Sequence, residues 1–261
     1  MLFDLDYGRT LILAGSLGFT GAAYISTQAA VRSGAGLVTL GCDSSIQNIL
    51  SVKLVEAMTA STNDEEGLDS LIDKSDCIAI GPGLGNNKST LKLLKRVLLN
   101  ANCPVVIDSD GLNVLEGNLE ILKNKKCKIV LTPHMGEMAR ISGLSIDKIN
   151  ENKIDIAKEF AKTHNVVLLL KGFNTIITDG KTVQINSTGS SAMASGGMGD
   201  CLTGIIASFI SQGYDIMNAA CAGAYVHGYC GDKLSKKMFC VNAKHIIDAL
   251  PCIIKEIQNL K

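Results

Sequence analysis

The sequence predicts an α/β fold, a three-layer sandwich in which a mainly parallel central sheet carries helices on both faces. Three observations lead there. Short aliphatic or β-branched runs alternate with amphipathic stretches of helical period, and several runs are too continuously apolar to leave either face in water. The unusual turn residues gather where these runs end. With 261 residues the chain is long enough to bury one substantial core, and no second domain is visible, so residues 1–261 are expected to form a single domain.

In chain order, residues 10–14 (Thr-Leu-Ile-Leu-Ala) form the first strand and 22–33 the first helix, followed by a strand at 36–41. Residues 60–66 read as a polar loop. Residues 77–80 (Cys-Ile-Ala-Ile) are a strand apolar on both faces, and 88–99 are a helix with leucines at helical spacing. Strands at 104–107, 128–131 and 166–170 alternate with helices at 137–141 and 153–164. Residues 175–177 and 182–185, separated by Asp179-Gly180, have the pattern of a hairpin. From Asp200 onward the chain reads as helices. The apolar stretch 201–228 approaches the length of a membrane span, but Gln212, Asp215, Asn218 and several glycines interrupt it, so two core helices joined at Gly213 are expected.

Composition narrows the function. Lys plus Arg equals Asp plus Glu at 25 each, so net charge argues for neither a nucleic-acid partner nor an anionic membrane surface, and any phosphate binding has to be local. Nine cysteines without a Cys-x-x-Cys pair favour neither a disulfide framework nor a zinc site. They are expected as small buried side chains in a reducing cytosol. No basic segment followed by an apolar run and a cleavage site opens the chain, so a soluble cytoplasmic protein is expected.

Every cluster of unusual residues follows a strand. Gly15-Ser16 follows the first strand, Gly81-Pro82-Gly83-Leu84-Gly85 the strand at 77–80, and Asp108-Ser109-Asp110 the strand at 104–107. Thr132-Pro133-His134-Met135-Gly136-Glu137 and Lys171-Gly172 follow the next two. In an open parallel sheet the carboxyl ends of the strands form the ligand-binding edge, so these loops assemble one cleft. The glycine loop at 81–85 is not a Walker loop, because no Gly-Lys-Ser/Thr ends it, yet its exposed backbone suits a diphosphate or ribose. Asp108 and Asp110 admit two readings, solvated or capping acids on one side and a role through hydrated Mg²⁺ on the other. Glu137 divides between a helix cap and metal organisation. His134 favours substrate contact, and Lys171 a nucleotide phosphate or neighbouring backbone. His164, His227 and His245 lie in helical contexts and read as packed or surface residues.

The richest string is Ala-Met-Ala-Ser-Gly-Gly-Met-Gly-Asp-Cys-Leu-Thr-Gly at 192–204. Gly196, Gly197 and Gly199 permit backbone angles that aim several N–H groups at one point, at the start of a helix expected near Asp200. Converging amides bind an anion. Asp200 is then either an N-cap carboxylate or a base that takes a proton from a hydroxyl brought up to a phosphate.

The ordered set of motifs resembles the ADP/ATP-dependent NAD(P)H-hydrate dehydratases, a family with a ribokinase-like fold. The strings that carry it are Ala14-Gly15-Ser16 through Thr20-Gly21-Ala22-Ala23, Arg32-Ser33-Gly34-Ala35-Gly36-Leu37-Val38, the loops at 81–85, 108–113 and 132–137, Lys171-Gly172, and the run 192–204. The resemblance covers nearly the whole chain. It implies repair of hydrated NADH and NADPH, in which a nucleoside diphosphate or triphosphate phosphorylates the ring hydroxyl and phosphate then leaves. Asp200 would be the base, with Gly197 and Gly199 at the phosphoryl group. Ala22, Gly83, Gly85, His134 and Asp200 would bind the hydrated dinucleotide. Lys171, Gly172, Phe173, Asn174, Thr175 and Gly199 would bind ADP or ATP, with ADP favoured. The resemblance further implies Mg²⁺ and a homo-oligomer, a tetramer, while the metal ligands stay unassigned.

Three departures stand out. Residues 1–7 lack the His-Lys-bearing segment common in the family, and Ser190 stands where asparagine often follows Thr188-Gly189. Larger family members also carry an N-terminal epimerase domain, for which no room is expected here, so epimerisation would fall to another protein. A ribokinase-like small-molecule kinase and a non-enzymatic nucleotide-binding protein are the alternatives. Accumulation of a stable phosphoester would mark the first, and loss of the Asp200 carboxylate the second.

Overall fold

A computed structural model describes residues 7–259, so residues 1–6 of the departing N-terminal segment lie outside it. The chain runs β1 (Arg9–Leu13), α1 (Thr20–Arg32), β2 (Leu37–Cys42), α2 (Ser44–Lys53), β3 (Met58–Ser61), α3 (Glu65–Lys74), β4 (Cys77–Ile80) and α4 (Lys88–Asn100). It continues through β5 (Val105–Ile107), α5 (Asp110–Asn113), β6 (Ile129–Leu131), α6 (Met135–Ser142), α7 (Ile146–Glu151) and α8 (Lys153–His164). The hairpin follows β7 (Val167–Leu170) as β8 (Thr175–Thr178) and β9 (Val183–Asn186), and α9 (Met198–Ser211), α10 (Ile216–Ser235) and α11 (Ala243–Gln258) complete it.

The nine strands lie in the order β3-β2-β1-β4-β5-β6-β7-β8-β9. All neighbours from β3 across to β7 are parallel, and β8 and β9 extend the sheet by antiparallel pairing. Because side chains alternate faces along a strand, each central strand feeds two cores. Ile12, Ala79, Val106, Val130 and Leu169 join α1, α2, α9, α10 and α11 in one core. Leu11, Ile78, Ile80, Val105, Ile107 and Leu168 join α3, α4, α6, α7 and α8 in the other. The expected three layers are therefore present, produced by continuous apolar strands that have no water-facing side.

On the first face α9 lies directly against α1. A Cβ added at Gly204 would stand 2.1 Å from the carbonyl oxygen of Ser26, so only glycine allows that approach. The buried Thr10 hydroxyl donates to that of Ser211 at 2.8 Å, fixing the far end of α9 to β1. These contacts hold the first turn of α9 over the carboxyl ends of the strands.

Several boundaries differ from expectation for local reasons. Residues 60–66 are not one loop: Ala60 and Ser61 close β3, and α3 begins at Glu65 after Asp64 accepts a hydrogen bond from the Gly67 amide. As a half-exposed edge strand, β3 has no apolar run to announce it. β5 starts at Val105 because Pro104 has no N–H for the ladder. In the hairpin loop the Asp179 side chain accepts from the amides of Lys181 and Thr182, a turn that explains the choice of residue. α9 begins at Met198, because Gly197 adopts a left-handed φ of 85° as its N-cap, so Asp200 sits inside the first turn.

Six cysteines are buried as expected, while Cys221 is half-buried and Cys240 and Cys252 are exposed. No helix among the described residues is long and apolar enough to cross a membrane.

Replacing Gly204 by alanine should force α9 away from α1, with a loss of ~1–3 kcal/mol from overpacking. Urea unfolding measures it; an unchanged midpoint would show that the interface has slack.

Candidate active site

Chain order reverses between β1 and β4: from β1 the chain winds outward through β2 to β3, then returns to lay β4 on the other side. Loops leaving β1 and β4 therefore diverge and open a crevice at the carboxyl edge. They are stitched together at its floor, where the Gly15 amide donates to the Pro82 carbonyl at 2.8 Å and the Ser16 hydroxyl to that of Gly83 at 2.7 Å. Gly83 also packs on Ala22, in the first turn of α1: an added Cβ would be 2.9 Å from the Ala22 methyl. Gly85 faces the next loop, its amide donating to the Asp110 carboxylate at 2.7 Å.

The β5 loop points two acids in different directions. Ser109, between them, has a left-handed φ of 51°, a conformation costly for serine that persists where neighbours enforce it. Asp110 is tied by Gly85 and by the Asn113 amide. Asp108 turns inward and is 0% exposed. One of its oxygens accepts from Lys171 Nζ at 2.7 Å and the Thr132 hydroxyl at 2.8 Å, the other from the Thr203 hydroxyl at 2.8 Å. Burial alone would raise the Asp108 carboxyl. The Lys171 charge and hydrogen bond, then the threonine hydroxyls, outweigh it and hold the group below the usual carboxylate range.

Lys171 is placed by pairing at the end of β7, where its amide donates to the Pro133 carbonyl at 2.8 Å. Its ammonium also lies 3.7 Å from Glu137. Burial would strip its proton, but Asp108 and Glu137 hold its pKa above the ordinary lysine value. The cation at this edge is thus permanent.

His134 and Glu137 together cap α6, the first of the two readings of Glu137. His134 is the N-cap of α6: its Nδ1 accepts from the amides of Gly136 and Glu137, while Glu137 accepts from the His134 amide. An Nδ1 engaged twice as acceptor assigns the ring proton to Nε2, which lies 3.5 Å from Glu137 on an otherwise exposed ring. Glu137 is buried, and burial followed by the Asp108 charge raises its carboxyl against the pull of Lys171.

The glycine turn closes the site. A Cβ at Gly199 would fall 3.1 Å from Lys171 Nζ and 3.6 Å from an Asp108 oxygen, so the first turn of α9 lies directly above the ion pair. Its leading amides have no partner within the helix. Asp200, one residue on, is not the N-cap, a place taken by Gly197, and its carboxylate has no hydrogen-bond partner among the described residues. Its carboxyl is pushed up to about 6 by burial and then by Asp108, with Lys171 opposing and Asp110 and Glu137 adding repulsion. An unbonded, half-buried carboxylate near neutrality has the properties of a general base.

Ala22, Gly83, Gly85, His134, Lys171, Gly197, Gly199 and Asp200 thus lie on loops and helix starts along the carboxyl edge of the sheet. Gly172, Phe173, Asn174 and Thr175 line a pocket running outward from Lys171, with Phe173 88% exposed at its lip. Sequence reasoning missed Thr203 and the anchoring role of Asp108. Thr203 lies three residues after Asp200 in α9, hence on the same helix face, and that spacing was the available signal.

The donor set does not fit a resident metal ion. No group of three or more His, Cys, Asp or Glu side chains among the described residues is arranged to hold one. Both Asp108 oxygens are occupied, which removes the first of the two acids that the sequence offered to Mg²⁺.

The model of a family described as NAD(P)H-hydrate dehydratase matches residues 10–252. A bifunctional NAD(P)H-hydrate repair enzyme of Moorella thermoacetica is 40% identical over 97% of this chain, which spans only 50% of that relative. The ADP-dependent (S)-NAD(P)H-hydrate dehydratase of Listeria monocytogenes is 33% identical over 96% of this chain and 88% of its own length. Among solved structures, the ADP/ATP-dependent NAD(P)H-hydrate dehydratase from Bacillus subtilis, co-crystallised with ATP and Mg²⁺, superposes with a TM-score of 0.86 at 29% identity, over 98% of this chain and 91% of that one. The fold is ribokinase-like. The chain spans about half the length of the bifunctional relatives it matches.

Two outcomes test the electrostatics. Lys171→Met should cost ~3–5 kcal/mol by leaving Asp108 buried and unpaired, and adding Asp108→Asn should restore part of it; a double-mutant cycle in urea with no coupling would refute the pairing. Asp200 has its folded pKa raised from 3.8 to about 6, so the folded state binds its proton more tightly and the group loses stability as pH rises from about 4 to 6. Asp200→Asn should therefore stabilise the protein at pH 8, by at most ~3 kcal/mol, and not at pH 4. Thermal melts at both values check this.

Proposed function

We propose that this chain, which belongs to the NAD(P)H-hydrate dehydratase family, dehydrates the S form of hydrated NADH and NADPH back to the reduced cofactors, using ADP or ATP as phosphoryl donor. The observation that carries this reading is Asp200: an unbonded carboxylate with a pKa of about 6, in the first turn of the helix that covers the Lys171–Asp108 pair. A hydroxyl presented to Asp200 can lose its proton as its oxygen attacks a phosphorus held against the α9 amides. Near neutral pH the carboxylate is mostly ionised, yet basic enough to take that proton.

The chemistry asks no more of the protein. A hydroxyl on the nicotinamide-derived ring is a poor leaving group, whereas its phosphate ester departs readily, pushed by the ring-nitrogen lone pair. Loss of a proton from the neighbouring carbon then completes the double bond, with no change in oxidation level. Gly197 and Gly199 let the backbone approach the transferring phosphoryl group, and Lys171 supplies a fixed positive charge beneath it. Ala22, Gly83, Gly85 and the Nε2–H of His134 border the crevice assigned to the hydrated dinucleotide. Lys171 to Thr175 border the pocket assigned to the adenine nucleotide. Mg²⁺ enters as the companion of the nucleotide phosphates, because the protein offers it no cage.

The same reading places the enzyme in the cytoplasm as a homo-oligomer, with a tetramer as the specific proposal. Support comes from the exposed apolar side chains Ile49, Val52, Val55 and Met58 on α2, the turn after it and edge strand β3.

Incubation with hydrated NADH, Mg²⁺ and either ADP or ATP should restore dihydronicotinamide absorbance with release of phosphate. No recovery with either nucleotide sinks the proposal, and a stable phosphoester would point instead to a kinase. Asp200→Asn should lower turnover at least ~10²- to 10⁴-fold while nucleotide binding persists.

A further inference from the structure

The amino edge of the sheet, opposite the strand ends that carry the reacting centre, holds a cavity of about 610 Å³. It opens between the segment leading into β6, the turn from α8 into β7, the β8–β9 loop and the start of α10. Val166, on its wall, is separated from Lys171 by the length of β7, roughly 16 Å of extended chain. Leu122, Ile129, Val166 and Met217 make one side apolar, and Lys123, Lys125, Lys126 and Lys128, four lysines within six residues, stand around it.

Carboxylates do not balance these cations. Lys128 lies 3.8 Å from Asp215 in an exposed pair of little strength, and Lys123, Lys125 and Lys126 form no ion pair among the described residues. Lys125 Nζ is held in place by carbonyls alone, donating to those of Leu122 at 3.2 Å and His164 at 2.6 Å. Both acids that line the cavity serve the backbone instead. Asp179 accepts from the amides of Lys181 and Thr182, and Asp215 caps α10 through the Met217 amide. The start of α10, a helix of 20 residues, adds the positive end of its dipole. His164, whose ring centroid is 4.5 Å from that of Phe160, senses the sum: burial and then the Lys125 and Lys123 charges hold its pKa below the ordinary histidine value.

Like charges gathered without a counter-charge destabilise the free protein, and an anion that enters among them removes that cost. We propose that this cavity binds a phosphorylated small molecule with an apolar body, the phosphate held by Lys123, Lys125 and Lys126 and the body laid against Ile129, Val166 and Met217. Ammonium groups suit a phosphate as compact point charges. The volume is that of a small-molecule site, and a bare phosphate would leave the apolar side in water. This site is separate from the α9 turn and does not depend on the activity assigned there.

The test uses the intact protein, with phenyl phosphate and inorganic phosphate as separate probes at constant ionic strength, so that general screening does not change. The readout is the proton resonance of His164 Cε1, identified by its loss in His164→Gln and followed from about pH 5 to 8. Phenyl phosphate should raise the His164 pKa saturably, because the bound anion offsets Lys125 and Lys123. Inorganic phosphate should need about tenfold more for the same shift, lacking the apolar body. Lys123→Gln combined with Lys126→Gln, two exposed side chains, should weaken phenyl phosphate at least about tenfold without lowering the melting temperature of the free protein. The reporter stands at the amino edge, so phosphate bound at the α9 turn is silent in it. No saturable shift, or the same half-saturation in the double variant, overturns the inference. Equal half-saturation for the two probes overturns the assignment to an organic phosphate. No nucleotide or hydrated cofactor is present, so failure here leaves the dehydratase reading standing.

Discussion

The buried ion pair between Lys171 and Asp108 is the constraint on which the rest of the edge depends. Taking an ammonium and a carboxylate out of water costs several kcal/mol for each ion, and only close geometry with further hydrogen bonds repays it. Here Thr132 and Thr203 supply those bonds from β6's end and from α9. One carboxylate thereby joins β5, β6, β7 and α9. The edge is not a set of mobile loops but a surface fixed from below, with a cation held beneath a helix N-terminus, the preorganised arrangement that the proposed phosphoryl transfer asks for.

That anchoring explains why glycine occupies the positions it does. Gly199 lies where a methyl group would crowd the Lys171 ammonium at 3.1 Å, so a side chain there would push on the ion pair. Gly81 has the same role one layer down: a Cβ there would overlap the Asp108 carbonyl oxygen, so the β4 loop could not lie against the β5 loop. What the sequence shows as a glycine-rich signature thus combines two demands, positive φ at Gly81 and Gly197 and close approach at Gly81, Gly197 and Gly199.

The parts of this arrangement that were legible in the sequence share a physical cause. Strands such as Cys77–Ile80 announce themselves because burial on both faces leaves a continuous apolar run, and Asp200 is conspicuous because a carboxylate beside an anion-binding turn needs a reason. β3 was illegible because an edge strand with one wet face carries little apolar signal. Asp108 and Asp110 looked equivalent, since a loop acid does not state which way it points. The Ser109 backbone sends one under the sheet edge and the other to Gly85.

Charge balance connects the anchor to the chemistry. Asp108, Glu137 and Asp200 face a single ammonium, with Asp110 close to Asp200, and burial first and this negative charge second lift Asp200 and Glu137 toward their neutral forms. An incoming polyphosphate meets this same field, which the α9 amides offset only in part. A nucleotide that carried its own divalent cation would arrive nearly compensated, whereas a protein-held cation would first have to displace Lys171 from Asp108 and lose the anchor. The residue set thereby favours a metal that travels with the nucleotide over one that resides in the protein. For Asp200 the consequence is that a donor arriving with its charge compensated would leave the carboxyl near the value of about 6 that burial and Asp108 set, ionised for the most part at neutral pH and still able to take a proton.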